Sequence, residues 1–230
     1  MNEGDHLPHI GYLSCAGAVK NLKMTTTTTT ATTATTTTTT KSPIYHFAYG
    51  SNLWLTQMHR RCPGHTLIGP ALLPRHRWHI NTRGYANLVP TTTTNDDQDH
   101  DAYGVVYTIT KSDEEQLDLS EGVPYWYQRV KHPVKLLPRS SYSSREGEGE
   151  ERILEDVLVY IDTIRTTDGA PKEEYISRIN NGFKDAVGIP KEWVERYVRK
   201  YVPAGVERMV EDPFLFKSEG EMESAVEREV

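Results

Sequence analysis

The sequence predicts a compact mixed α/β domain of the α+β kind, carried between two polar tails. Three observations predict it. Short segments rich in β-branched and aromatic residues dominate from Ile44 to Ile161, with helical patterns interspersed and then closing the chain. No regular strand–helix–strand alternation runs through them, which argues against a doubly wound sheet. No internal repeat organises the chain.

Residues 1–24 are polar and carry no period, and residues 25–40 are Thr throughout except for Ala31 and Ala34. Such a tract has no side chains large enough to bury and nothing to offset backbone entropy, so residues 1–42 are expected to be a disordered region. Order is expected to begin near Pro43. Ile44-Tyr45-His46-Phe47-Ala48-Tyr49 reads as a strand stopping at Gly50, and Asn52 to His59 as a short helix after the turn. Trp78–Asn81 and Ala86–Val89 read as strands around an Arg83-Gly84 break. A second Thr run at 91–94 leads into a solvated loop. Ala102–Ile109 is the clearest strand.

Ser112, with Glu115 three residues on, matches a capping box, and the helix it opens should stop at Gly122. Trp126–Val130 and Val134–Leu136 read as strand broken at Pro133. Residues 138–152 are Ser-, Gly- and Glu-rich and read as a loop, and Asp156–Ile161 as a buried strand. Helices are expected at about 171–187, where Tyr175, Ile176, Ile179 and Phe183 recur at helical steps, and at 190–200. Residues 205–230 form a charged tail.

The bulk numbers exclude several function classes. Net charge is −6 and the pI about 5.9, so the chain has no electrostatic footprint for nucleic acid or an anionic membrane. Hydrophobic residues are 37% and mean hydropathy is −0.61, low enough to expect part of the chain outside the fold. The longest apolar runs, such as Val157–Ile161, are far too short to span a bilayer. Two cysteines, Cys15 and Cys62, make no disulfide framework and fit a reducing compartment. The first residues lack the basic start and apolar stretch of a signal peptide, so a cytoplasmic location is expected.

Two constellations bear on chemistry. In Phe47-Ala48-Tyr49-Gly50-Ser51-Asn52-Leu53, a strand ending in Gly-Ser-Asn leaves backbone N–H groups at its tip, and a following helix would aim them at one spot. That spot suits a carboxylate or an oxyanion, and Gly50 has no Cβ to block a ligand. In Leu117-Asp118-Leu119-Ser120-Glu121-Gly122-Val123, Glu121 falls at a helix C-terminus, where the dipole opposes an anion, beside apolar Leu117, Leu119 and Val123. That setting would raise its pKa and suit it to proton transfer near neutral pH. From the residues alone, an ordinary capped turn and a solvated surface glutamate stay open as alternatives.

The Tyr49-Gly50-Ser51-Asn52-Leu53 stretch resembles the signature of γ-glutamylcyclotransferases, and Tyr103–Tyr107 followed by Leu117-Asp118 and Glu121-Gly122 resembles that family's second signature. The likeness runs over roughly residues 44–203, and the fungal branch of the family is the expected source. It implies a γ-glutamylcyclotransferase-like fold, a small bent β-barrel with flanking helices, in a catalytic domain spanning 43–204. It also implies Glu121 as catalytic acid/base, and His46, Phe47, Ala48, Tyr49, Gly50, Ser51 and Asn52, with Tyr175, as substrate-binding residues. The implied reaction is cyclisation of a small-molecule γ-glutamyl compound to 5-oxoproline with release of an amine or amino acid, a lyase or acyltransferase chemistry. No metal, cofactor, nucleic acid or membrane is required, and oligomeric state is not legible. Removal of γ-glutamyl groups from a glutathione adduct in fungal secondary metabolism, as in gliotoxin-like pathways, is an alternative, and a non-catalytic binding module of the same fold is another.

Two further signals are set aside. His76 and His79 cannot point to one side of a strand, and no cysteine or carboxylate completes a zinc set with them, His59 and His65. Cys62 has no activating partner in the sequence and reads as an inert thiol.

Overall fold

A computed structural model describes residues 42–91, 101–138 and 152–206. The Thr tract, the solvated loop after Thr91, most of the 138–152 segment and the tail beyond Val206 lie outside the described residues. The described residues form a mixed α/β fold around a closed five-stranded barrel. The barrel strands are β1 (Ile44–Ala48), β2 (Thr66–Leu73), β5 (Ala102–Ile109), β6 (Gln128–Leu136) and β7 (Arg152–Ile161). Their order is β1-β5-β2-β6-β7, antiparallel throughout except where β7 meets β1 in parallel, His46 opposite Leu158, and closes the ring. A separate hairpin pairs β3 (His76–Ile80) with β4 (Ala86–Pro90). No helix among the described residues is long and apolar enough to cross a membrane.

Close packing of β1 on β5 is what brings the two motif-bearing segments together. Ala48 lies opposite Val105, and a Cβ on Gly104 would collide with the Ala48 carbonyl oxygen and lie 2.7 Å from the Phe47 ring. Gly104 is therefore a residue of close approach inside a strand. Phe47, Val106, Tyr107 and Val159 are fully buried and belong to the core.

Several boundaries differ from the sequence expectation. The segment after Gly50 is a 3₁₀ turn (Ser51–Leu53), and α1 (Leu55–Arg61) starts only beyond Trp54. Helix α2 (Lys111–Glu121) is capped by Thr110, not Ser112. The Thr110 hydroxyl accepts the Asp113 N–H, and the Asp113 carboxylate takes both the Thr110 N–H and, across the chain, the Gly64 N–H. This tertiary bond selects Asp113 over Glu115 as the box partner. The helix does end at Gly122, in the left-handed region at φ 64°. Strand β6 runs through Pro133, where a register shift between His132 and Val134 spares the ladder the missing N–H. Trp126 and Tyr127 precede that strand instead of opening it. Helix α3 (Glu173–Asp185) buries Tyr175 and Ile179, and it is followed by α4 (Lys191–Trp193), which continues as a π-helical turn over Val194–Val198.

Candidate active site

Four elements converge on the C-terminal end of β1. The 3₁₀ turn lies directly under α3, where a Cβ on Gly182 would stand 2.9 Å from Leu53 Cβ. This contact fixes how far the first turn of α3 reaches, and Tyr175 on that turn accepts the N–H of Ser51 at 3.3 Å and of Ala86, at the start of β4, at 3.4 Å. Gly50 leaves room for it, since a Cβ there would sit 2.9 Å from the Tyr175 hydroxyl. The expected set of backbone donors is thus partly engaged, with the Ser51 N–H held by a tyrosine oxygen.

Glu121 ends α2 and is reached from α1. Its Oε1 accepts from Asn52 Nδ2 at 2.9 Å and pairs with Arg61 Nη1 at 3.3 Å. Arg61 also donates to Asn52 Oδ1 at 2.8 Å. Gln57, one helical turn before Arg61, donates to Ser51 Oγ at 2.9 Å and to Asn52 Oδ1 at 3.1 Å. The apolar surroundings expected for Glu121 are therefore replaced by polar ones. A guanidinium with 3% of its side chain exposed must be paired, and this one opposes the helix dipole at the C-terminal end of α2. Asn52 belongs to a triangle that orients Glu121.

Ser51, Asn52, Glu121 and Tyr175 line a small hollow together with the rest of residues 46–52, Ala86, Tyr127 and Tyr160. All nine residues expected at the site line it. Its tyrosines divide by what their hydroxyls do. Tyr49 donates to the Tyr160 carbonyl, Tyr127 to the Ala86 carbonyl at 2.8 Å, and Tyr160 to Asp118 Oδ1 at 2.9 Å. Tyr175 accepts two N–H groups and keeps its own proton for the hollow. Burial raises the pKa of all four, so they act as neutral donors. Tyr160, Gln57 and Arg61 escaped the sequence reading. The one available signal was the four-residue spacing of Gln57 and Arg61, polar residues sharing the inner face of a helix.

His46 is 2% exposed, with Nδ1 3.2 Å from the Leu158 carbonyl oxygen. Burial lowers its pKa from 6.5 to about 4. Between those values the unfolded chain binds the proton that the folded one refuses. Stability from this group is complete above pH 6.5 and is lost as pH falls toward 4, by about 3 kcal/mol. In His46→Asn, whose amide still reaches the Leu158 carbonyl, the fall in melting temperature from pH 7 to pH 4.5 is expected to be smaller. An unchanged pH dependence would contradict the assignment. His76, His79 and His132, also lowered by burial, act in the same direction and are common to both proteins.

The signals set aside have structural partners. His79 Nδ1 is 3.2 Å from Asp168 Oδ1, and His76 stands 2.9 Å from the Pro74 carbonyl and edge-on to His132. No group of three or more metal-binding side chains occurs among the described residues. Burial pushes the Cys62 thiol up to about 12, which leaves it without thiolate character.

Solved structures share this architecture. One named gamma-glutamyl cyclotransferase matches at 23% identity and a TM-score of 0.53 over 81% of this chain and 99% of its own. An uncharacterized human protein matches at 23% identity and 0.54, with the same coverage, and YkqA from Bacillus subtilis at 22% and 0.53, over 72% of this chain and 57% of its own. At such identities the likeness is one of fold. No curated protein sequence matches the chain. The family model described as "Gamma-glutamyl cyclotransferase, AIG2-like" matches residues 46–175, from the first to the last of the expected site residues and over more than half of the sequence. The chain belongs to that family.

Proposed function

We propose that the protein cyclises γ-glutamyl compounds to 5-oxoproline, with Glu121 moving the proton. The observation that carries this reading is the Glu121 carboxylate, oriented by Asn52 and charge-balanced by Arg61 in the wall of a hollow built from the end of β1. Such a carboxylate is placed to exchange a proton with an amine in the hollow, which the reaction needs first.

The substrate's α-ammonium gives a proton to Glu121, and the freed amine attacks the γ-carbonyl carbon. A C–N bond closes the five-membered ring, and the carbonyl oxygen takes the negative charge. Collapse of this tetrahedral species breaks the original γ-amide bond as Glu121 returns the first proton to the departing nitrogen, and the ring nitrogen gives up its second proton to the same group, which leaves as an ammonium. The products are 5-oxoproline and a free amine, and no water enters. Tethering of the nucleophile removes most of the entropic barrier, so the protein has to hold one folded conformer. Tyr175, whose hydroxyl is polarised by the two N–H groups it accepts, is the donor for the carbonyl oxygen, a role worth about 3–4 kcal/mol.

The test is 5-oxoproline release by the purified full-length chain from a panel of γ-glutamyl amino acids, γ-glutamyl amines and glutathione adducts. Release from at least one class is expected. Release from none would overturn the reading in favour of a binding module.

A further inference from the structure

A primary amide accepts at its oxygen and donates at its nitrogen, so two buried amides in contact are set in direction by what lies at their ends. Asn52 and Gln57 are such a pair, 7% and 1% exposed. A guanidinium can only donate. Arg61 Nη1 therefore takes the carbonyl end of Asn52, at 2.8 Å, and Asn52 Nδ2 is turned to Glu121 at 2.9 Å. Gln57 meets the same Asn52 oxygen at 3.1 Å, so it must present its nitrogen there. Its own oxygen then faces Arg178 Nη1, at 3.5 Å. Arg178, Gln57 and Asn52 thus all donate in one direction, and the series ends on Glu121.

The same Gln57 nitrogen donates to Ser51 Oγ at 2.9 Å. A hydroxyl that accepts in this way has its own proton to give elsewhere. Ser51 finds no acceptor for that proton among the described residues. It lines the hollow, so its hydroxyl stands there as a donor for a substrate oxygen, as the Tyr175 hydroxyl does.

Placement on α1 makes this double contact possible. Gln57 and Arg61 are one helical turn apart, and both reach the 3₁₀ turn that carries Ser51 and Asn52. Gln57 lies outside the lining of the hollow and acts through these two neighbours.

We propose that Gln57 is a positioning residue of this site: by donating to Ser51 Oγ and Asn52 Oδ1 together, it sets the direction in which both present their own hydrogens, the Asn52 amide to Glu121 and the Ser51 hydroxyl to the hollow. This rests on the cyclisation reading, and the test separates the two. The readout is 5-oxoproline release from whichever compound of the panel above the wild type turns over fastest, at a temperature where every variant is folded. Gln57→Met keeps the volume and deletes the donor. Arg61 still turns Asn52, so kcat/KM is expected to stay within about fivefold of the wild type. Gln57→Glu keeps the shape and the contact with Arg178 but puts an acceptor where the donor was. It draws the Asn52 amide and the Ser51 proton toward itself, and kcat/KM should fall by about 10–100-fold, the worth of a hydrogen bond to a charged group. The acidic limb of its pH profile should also move to higher pH, because Glu121 loses its amide donor and gains a nearby negative charge, while that of Gln57→Met stays in place. A residue that only packed would give the reverse order, since Met loses every polar contact and Glu keeps one. In the wild type, the Gln57 side-chain amide protons should exchange with solvent at least about 100-fold more slowly than those of exposed glutamines, a measurement that needs no variant to fold. Equal rates in the two variants, an unmoved acidic limb in Gln57→Glu, or fast exchange in the wild type overturns the role of Gln57 and leaves the cyclisation standing. Release of 5-oxoproline by the wild type from no compound of the panel overturns both.

Discussion

Glu121→Gln is expected to lower the rate of 5-oxoproline release by about 10²–10⁴-fold, the range for a positioned acid/base group. The substitution isolates proton transfer from architecture. A glutamine Oε1 still accepts from Asn52 Nδ2 and Arg61 Nη1, bonds that help hold the side chain in place. What it cannot do is take a proton from an ammonium. The α-amine then stays charged and unreactive at neutral pH, so the loss should fall on kcat more than on KM. Glu121→Ala provides the contrast. It leaves Arg61, nearly buried, without its carboxylate, and a fall in stability of about 3 kcal/mol should accompany the lost activity. A Glu121→Gln protein that releases 5-oxoproline at the wild-type rate would remove Glu121 from the mechanism. Equal melting curves for the Gln and Ala proteins would mean that the Arg61 pair carries no structural weight.

The parts of this molecule legible in the sequence are those encoded by neighbours in the chain. Strand β5 was visible from Ala102 to Ile109 because a run rich in β-branched and aromatic residues is its own signal. The stop of α2 at Gly122 was visible because a left-handed residue is needed there. Strand β2 was not visible. Gly69 and Pro70 interrupt its apolar run, yet a register shift between Leu67 and Gly69 absorbs them and the strand continues to Leu73. The helix after Gly50 was misplaced because the first bonds of that segment close a 3₁₀ turn under α3, a tertiary contact no local pattern reports. The site divides in the same way. Tyr49–Asn52 and Glu121 were singled out by motif and order. Arg61 was not, because its role depends on meeting a residue sixty positions away.

Gly50→Ala tests whether the Tyr175 hydroxyl must stand where it does. The new Cβ would lie 2.9 Å from that oxygen, closer than real contacts allow, and 3.2 Å from Ala86 Cβ, tighter than most. The tyrosine has little room to retreat. Its ring is held edge-on by Tyr85, with centroids 5.0 Å apart, and covered by the Arg178 guanidinium at 4.9 Å. A displacement of a few tenths of an ångström would stretch both N–H bonds, already 3.3 and 3.4 Å, past useful length. Misplacement of this donor is expected to cost about 10²-fold in kcat, and the overpacking about 1–3 kcal/mol in stability. Tyr175→Phe, which deletes the hydroxyl, should cost a similar factor in rate. The double variant decides between routes. With no hydroxyl to strike, the introduced methyl group is relieved of its worst contact, so Gly50→Ala/Tyr175→Phe should melt above Gly50→Ala alone while its rate stays near that of Tyr175→Phe. Rate losses that multiply in the double variant would show that Gly50 serves the substrate directly, by leaving space for it, and that Tyr175 acts independently.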